Sequence, residues 1–269
     1  MVPPPRTAVV EGVEVRIEGE GVDTIVMIHG WPDTLALWDA TVDALQDKFR
    51  CVRFTQPGFA PGDAKRVRSL DELVALYAAI VDRVSPDQPV TLLLHDWGCV
   101  FGYQYAMRHP QRVSRIVGVD IGDSNSGAFL RSLTGKAKLG ILGYQLWLAL
   151  AWVIGGRLGD AMTRRMARAL RCPSEPSRMH AGMNYPYWLT WTGGLKKSVP
   201  MEPQCPVLFL YGERKLFMFH SPRWLERVRA LPGGAAQGLR TGHWVMTQAP
   251  AEFNSAVRAW LLAGESASS

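Results

Sequence analysis

The chain predicts an α/β fold, a mostly parallel sheet covered by helices on both faces, with a helical cap inserted before the last strands. Three observations carry this. Short apolar runs alternate with amphipathic segments from residue 24 to 119 and again from 207 to 262. The stretch from Gly122 to Pro203 breaks the alternation, with helical spacing, Trp147, Trp152, Trp188 and Trp191, and no convincing strand. With 269 residues, 47% of them hydrophobic, the chain can bury one core around one sheet. The expected division is a core over 1–122, a helical cap over 123–203 and a return to the core over 204–269.

Taken in order, the alternation in Val13–Ile17 predicts a half-exposed strand, and the apolar run Thr24–Ile28 a buried one. A loop, His29-Gly30-Trp31-Pro32-Asp33, leads to a helix over Leu35–Gln46 with Leu37, Trp38, Val42 and Leu45 on one side. Arg50–Phe54 reads as a strand, and Ser69 caps a helix running to about Arg83. Next come a strand over Val90–His95, a helix over Cys99–Arg108 and a strand over Ser114–Val119. Beyond the cap follow a strand over Val207–Tyr211, a helix over Pro222–Leu231, a weak strand near Gly238–Arg240 and a helix over Pro250–Leu262. Disorder is expected only at Met1–Arg6 and Gly264–Ser269.

Composition narrows the function. Four cysteines without CxxC spacing, and no signal peptide, point to a reducing cytoplasm. No cluster has metal-ligand spacing and no glycine-rich fingerprint follows a strand, so neither a metal nor a cofactor is expected. The formal charge of +6 is partly local, with Arg157, Arg164, Arg165, Arg168 and Arg171 within fifteen residues, which reads as a solvated helix face rather than a nucleic-acid site.

The chemistry gathers at Leu92-Leu93-Leu94-His95-Asp96-Trp97-Gly98, an apolar strand running into a sharp turn with an acid at its tip. A carboxylate there has no proton to lose and forms an ester with an electrophilic saturated carbon. An Asp at a strand end also fits a helix cap, so its partners matter. His243, in a loop before the final helix, is placed to act as a general base. Asp120, ending the strand after the elbow helix, is the first choice to orient it. Glu213 is the second choice and Asp123 the third, because the position two residues beyond Glu213 holds Lys215, whose charge would repel an imidazolium. The amides of Trp31 and Trp97 are candidate oxyanion donors. His29 is read as a loop-stabilising residue, and Cys99 is larger than the glycine expected beside the tip.

These residues resemble the capped α/β-hydrolase superfamily, in its epoxide hydrolase and haloalkane dehalogenase branch. HGWPDT at 29–34, LLLHDWG at 92–98, GYQLW at 143–147 and GHWVMTQAP at 242–250 carry the resemblance. It implies an eight-stranded sheet and hydrolysis of a small apolar organic substrate through an alkyl ester on Asp96. It further implies that Tyr144, followed by Gln145, binds an epoxide oxygen with Tyr185 or Tyr187 as the second phenol, giving a vicinal diol. A haloalkane dehalogenase is the alternative. There the Trp97 indole would hold the halide with a partner that an Asn often supplies; this chain has Trp31 at that position, and Trp147 or Trp152 would have to substitute. A ligand-binding protein on the same fold is the non-catalytic alternative.

Leu139–Gly156 is eighteen residues without formal charge. Its length nears that of a bilayer span, but Tyr144, Gln145 and its small residues favour a buried cap helix lining an apolar pocket. No transmembrane span is expected; the arginines just downstream leave peripheral membrane contact as a further reading.

Overall fold

The computed structural model describes residues 4–124 and 126–265. A hairpin of β1 (Arg6–Val10) and β2 (Val13–Glu18) precedes β3 (Thr24–Ile28), and a 3-10 turn at Leu35–Trp38 leads into α1 (Asp39–Leu45). β4 (Arg50–Phe54), α2 (Leu70–Val84), β5 (Val90–His95), α3 (Trp97–Arg108) and β6 (Val113–Val119) complete the first part of the core. An insertion follows with α4 (Gly127–Ser132), α5 (Gly135–Ile154), α6 (Gly156–Ala169) and α7 (Tyr185–Trp191). The chain then returns to the sheet through β7 (Val207–Gly212), α8 (Pro222–Ala230), β8 (Ala235–Leu239), α9 (Val245–Gln248) and α10 (Pro250–Glu265).

The sheet has eight strands in the order β1-β2-β4-β3-β5-β6-β7-β8. β1–β2 and β2–β4 are antiparallel, and every later pair is parallel. Both faces are covered, and side chains divide between them with the period of two that a strand imposes. Ile25, Met27, Leu93, Val117, Leu208 and Leu210 pack on the side of α1 and α10. Val26, Ile28, Leu92, Leu94, Ile116 and Phe209 pack on the side of α2, α3 and α8. α2 starts at the expected capping box: the Glu72 amide donates to Ser69 Oγ at 3.2 Å, and the Ser69 amide donates to Glu72 Oε2 at 2.8 Å.

Three expectations need correction. Arg6 lies in β1, not in a disordered end, because Glu11 and Gly12, both at positive φ, turn the chain into a hairpin. Of the other end regions, residues 1–3 and 266–269 lie outside the described residues. β8 begins at Ala235, earlier than the weak strand expected at 238–240. Its sequence, AAQGL, has little strand propensity and is held by pairing with β7. The third correction concerns the apolar run Leu139–Gly156, expected as a buried helix. α5 buries Ala137, Leu148, Ala149 and Ala151 but leaves Leu139, Leu146, Leu150, Val153 and Ile154 exposed. It packs on α6 through small residues, and a Cβ on Gly159 would lie 2.4 Å from the Ala151 carbonyl oxygen. Among the described residues no element covers its outer side. α5 is also the one described helix long and apolar enough, by length and composition, to cross a membrane.

The join of β5 to α3 positions the site. A Cβ on Gly98 would sit 2.1 Å from the Ile28 carbonyl oxygen, so only glycine lets α3 start this close to β3. Gly98→Ala is expected to cost about 1–3 kcal/mol by forcing the helix from the strand, and Ser69→Ala about 1 kcal/mol through loss of the cap. Guanidinium denaturation measures both; a Gly98→Ala protein as stable as the parent would contradict this packing.

Candidate active site

Asp96 is the last residue before α3 and adopts φ +53° and ψ −123°, a conformation that costs a non-glycine residue about 1–3 kcal/mol. Its side chain makes no capping hydrogen bond to α3, so the helix-cap role does not account for it. Instead Oδ1 accepts the Trp31 amide at 2.7 Å, and Oδ2 stands 3.3 Å from His243 Nε2. Gly30 permits the approach: a Cβ there would meet Asp96 Oδ1 at 2.3 Å and the Trp97 amide nitrogen at 2.5 Å.

His243 follows β8 and lies between two carboxylates. Its Nδ1–H donates to Asp120 Oδ2 at 2.5 Å. Asp120 is fully buried, and its Oδ1 accepts the Gly212 amide at 3.1 Å together with the Lys215 ammonium. Lys215 therefore does not stand against the imidazole as the sequence suggests, since its charge is spent on the far oxygen of Asp120. Glu213, the alternative acid, is exposed and borders Gly238 instead, while Asp123 accepts from Ser126 and Ser221 at the start of the insertion.

The ionisation states follow from this arrangement. Burial works against charge on His243, but Asp120 and then Asp96 outweigh it and raise the imidazole to about 9. Burial likewise opposes charge on Asp96, yet the hydrogen bond and charge of His243, with the Trp31 amide, hold its carboxyl below the ordinary value. Asp120 is held well below the ordinary value by Lys215 and His243 despite its burial. Two further histidines stay neutral because they are buried: His95 falls to about 3 and His29 to about 4. His29 braces its loop, accepting the Gln56 amide at Nε2 and donating from Nδ1 to the Gly30 carbonyl, both at 2.9 Å. Nothing in the residue pattern singles out His95. Its ring lies 4.6 Å from that of His243, and its Nε2–H donates to the His243 carbonyl at 3.2 Å.

Asp96 opens onto a cavity of about 280 Å³ lined by Trp97, Phe129, Leu133, Tyr144, Tyr187 and Phe219, among others. Burial, reinforced by the charge of Asp96, keeps the Tyr187 hydroxyl protonated; burial does the same for Tyr144. The two rings meet edge to face at 6.0 Å, and Tyr187 also packs against Trp31 and Trp97. Tyr185, the other candidate for the second phenol, faces away. Its ring packs on Phe59 and Gly58, its hydroxyl is buried without a hydrogen-bond partner among the described residues, and it does not line the cavity. Pro186 sits at the start of α7, so Tyr185 and Tyr187 leave opposite sides of that first turn. A wider cleft of about 540 Å³, bordered by Tyr103, Asp123 and Arg223, holds none of Asp96, Asp120 and His243.

Asn184 also escaped the sequence reading. Its Oδ1 accepts the Trp31 indole N–H at 2.7 Å, and its Nδ2 donates to Thr163. The Trp31 indole is thus engaged, that of Trp147 donates to Met162, and Trp152 stacks on Trp188. The Trp152 N–H has no partner among the described residues, but none of the three side chains lines the cavity beside Trp97. Asp33 links the loop at 29–33 to the other parts of the site, accepting the Trp244 indole N–H at 3.0 Å and the Ser174 hydroxyl. Among the described residues no group of three His, Cys, Asp or Glu side chains is arranged to hold a metal.

Residues 23–145 match the family model for the alpha/beta hydrolase fold. An epoxide hydrolase structure from Bacillus megaterium covers 95% of this chain and 99% of its own, with TM-score 0.71 and 18% identity. One from Vigna radiata covers 97% of each chain, with TM-score 0.71 and 16% identity. Among curated proteins, 112 residues are 32% identical to a probable oxidoreductase, EphD, of Mycobacterium tuberculosis, spanning 39% of this chain and only 19% of that one. A further 116-residue match, also 32% identical, is to the cis-3-alkyl-4-alkyloxetan-2-one decarboxylase of Shewanella oneidensis, spanning 42% of this chain and 35% of that one. The chain thus has the α/β-hydrolase fold. These whole-chain structural matches are to epoxide hydrolases.

Because the folded value of His243 lies above its ordinary 6.5, protonation favours the folded state. This contribution is complete below about pH 6.5 and is lost as the pH rises through about 9. Asp120→Asn removes the leading cause, so the imidazole pKa should fall by more than about one unit and the stability slope in that window should flatten. Nitrogen NMR of the His243 ring reads the first, and denaturation against pH the second; an unchanged titration would contradict the assigned pairing.

Proposed function

We propose that the protein is a hydrolase that opens an epoxide through a covalent ester on Asp96 and releases a vicinal diol. The observation that carries the reading is the uncapped Asp96 carboxylate, 3.3 Å from His243 and opening onto a cavity that holds two protonated phenols. Oδ2 of Asp96 attacks a ring carbon, the carbon–oxygen bond of the epoxide breaks, and the oxygen takes a proton from Tyr144 or Tyr187. Oδ1, already bonded to the Trp31 amide, becomes the ester carbonyl oxygen.

Forming the ester removes the charge of Asp96, one of the two carboxylates that raise the imidazole. Its pKa therefore drops at the stage where a base is needed. Neutral His243 then takes a proton from water, and the hydroxide adds to the ester carbon. The resulting oxyanion is held by the Trp31 amide, with the Trp97 amide at the start of α3 as the second donor. The tetrahedral species expels the diol and regenerates Asp96, and the proton on His243 returns to the phenolate.

The match to an oxetan-2-one decarboxylase supports a second reading in which the same carboxylate attacks a four-membered lactone. Both readings share a strained oxygen ring as the electrophile. Product analysis separates them: diol from epoxides, or carbon dioxide and alkene from oxetan-2-ones. Halide release from bromoalkanes would point to the dehalogenase alternative.

His243→Gln is expected to alkylate once and stop, leaving a mass increment on Asp96 equal to the substrate; absence of any adduct with epoxides would overturn the two-step scheme. Tyr144→Phe and Tyr187→Phe should each slow alkylation about 10²-fold, whereas Tyr185→Phe should leave it unchanged. In single turnovers alkylation should stay level between about pH 6 and about pH 9, while ester hydrolysis rises with pH as His243 loses its proton.

A further inference from the structure

The outer face of α5 inverts the usual design of a surface helix. Leu139, Leu146, Leu150 and Val153 lie in a stripe along one side of the helix, and Leu139 is 70% exposed. Leu158, at the start of α6 and 63% exposed, extends it past the Gly155–Gly156 turn. The stripe runs about 20 Å without a charged residue between Lys138 and Arg157. Monomeric proteins seldom leave a continuous apolar surface of this kind uncovered.

Its ends are cationic. Lys136 and Lys138 flank the start of the stripe, and Arg157, Arg165 and Arg168 are exposed on α6 beyond its end. Lys65 joins that end, lying over the Trp152 ring at 4.6 Å and donating to the Val153 carbonyl. The only acid on α5 or α6 is Asp160, which is occupied in accepting the Ala181 amide at 2.7 Å. We propose that this face docks on an anionic lipid bilayer, α5 lying in the interface with its leucines among the upper acyl chains and the flanking cations among the headgroups.

The charge pattern selects this occupant over a second copy of the chain. Pairing α5 with itself, in either direction, sets a cationic end against a cationic end. An anionic surface meets both ends with the opposite sign. The leucines chosen for the test are separate from the reaction proposed above, since neither Leu146 nor Leu150 lines the cavity, whereas Lys138 does.

Flotation with vesicles tests it on the full chain, using phosphatidylcholine alone and phosphatidylcholine mixed with phosphatidylserine. The bound fraction should be at least about tenfold greater on the mixed vesicles and fall steeply with added salt. Leu146→Gln/Leu150→Gln should abolish flotation while leaving circular dichroism and thermal unfolding unchanged, as both side chains are exposed. Arg165→Gln/Arg168→Gln should weaken it severalfold. Binding to neither vesicle, equal binding to both, or flotation unaffected by the leucine changes would overturn the proposal. So would a dimer in sedimentation that dissociates in the leucine variant while vesicle binding is absent.

Discussion

Two segments of backbone, residues 28–31 and 96–98, touch without intervening side chains, and everything the site does depends on that contact. Gly98 lets α3 begin against the Ile28 carbonyl, and Gly30 leaves room for the Asp96 carboxylate. The Trp31 amide then fixes one carboxylate oxygen and leaves the other toward His243. The unfavourable φ of Asp96 is sustained by this packing, with β3 and β5 paired in the fully buried middle of the sheet. A looser join would let the turn relax and swing the carboxylate toward α3, where it would become an ordinary helix cap.

Around that contact the charges form a chain, Lys215 to Asp120 to His243 to Asp96, alternating in sign when the imidazole is protonated. The alternation holds both carboxylates ionised in a buried setting that would otherwise neutralise them. It also makes the imidazole responsive to the state of Asp96. The neighbouring His29 and His95 contribute shape and hydrogen bonds but no charge. Three histidines close together in space thus have separate jobs, set by whether a carboxylate faces the ring.

Much of this was legible in the chain. The buried strands have the apolar runs that a covered parallel sheet requires, and the turn at 95–98 and the loop at 241–244 stand out because their residue types have few structural uses at such places. Other features depended on three-dimensional relations that spacing does not encode. Tyr185 and Tyr187 are equivalent in sequence, and the first turn of α7 decides which ring enters the cavity. Lys215 looked repulsive because its reach to the far oxygen of Asp120 depends on the course of the loop after β7. The apolar run in α5 has the composition of a buried helix. Its exposure follows from its position at the outside of the insertion, which no local pattern records. β1 and β8 were missed or displaced because an edge strand needs little apolar content.

The cavity divides its lining unequally. Asp96, His243 and Asp120 come from the sheet and its loops, whereas Phe129, Leu133, Ile141, Leu142, Thr190 and Leu195 come from the insertion and touch none of those three groups through any hydrogen bond. The shape of the cavity and the placement of the Asp96 carboxylate are therefore set by different stretches of the chain. Under the reaction proposed above, the roof can be varied to alter the range of substrates while Tyr144 and Tyr187 are kept, whereas Gly30 and Gly98 leave no room for a side chain.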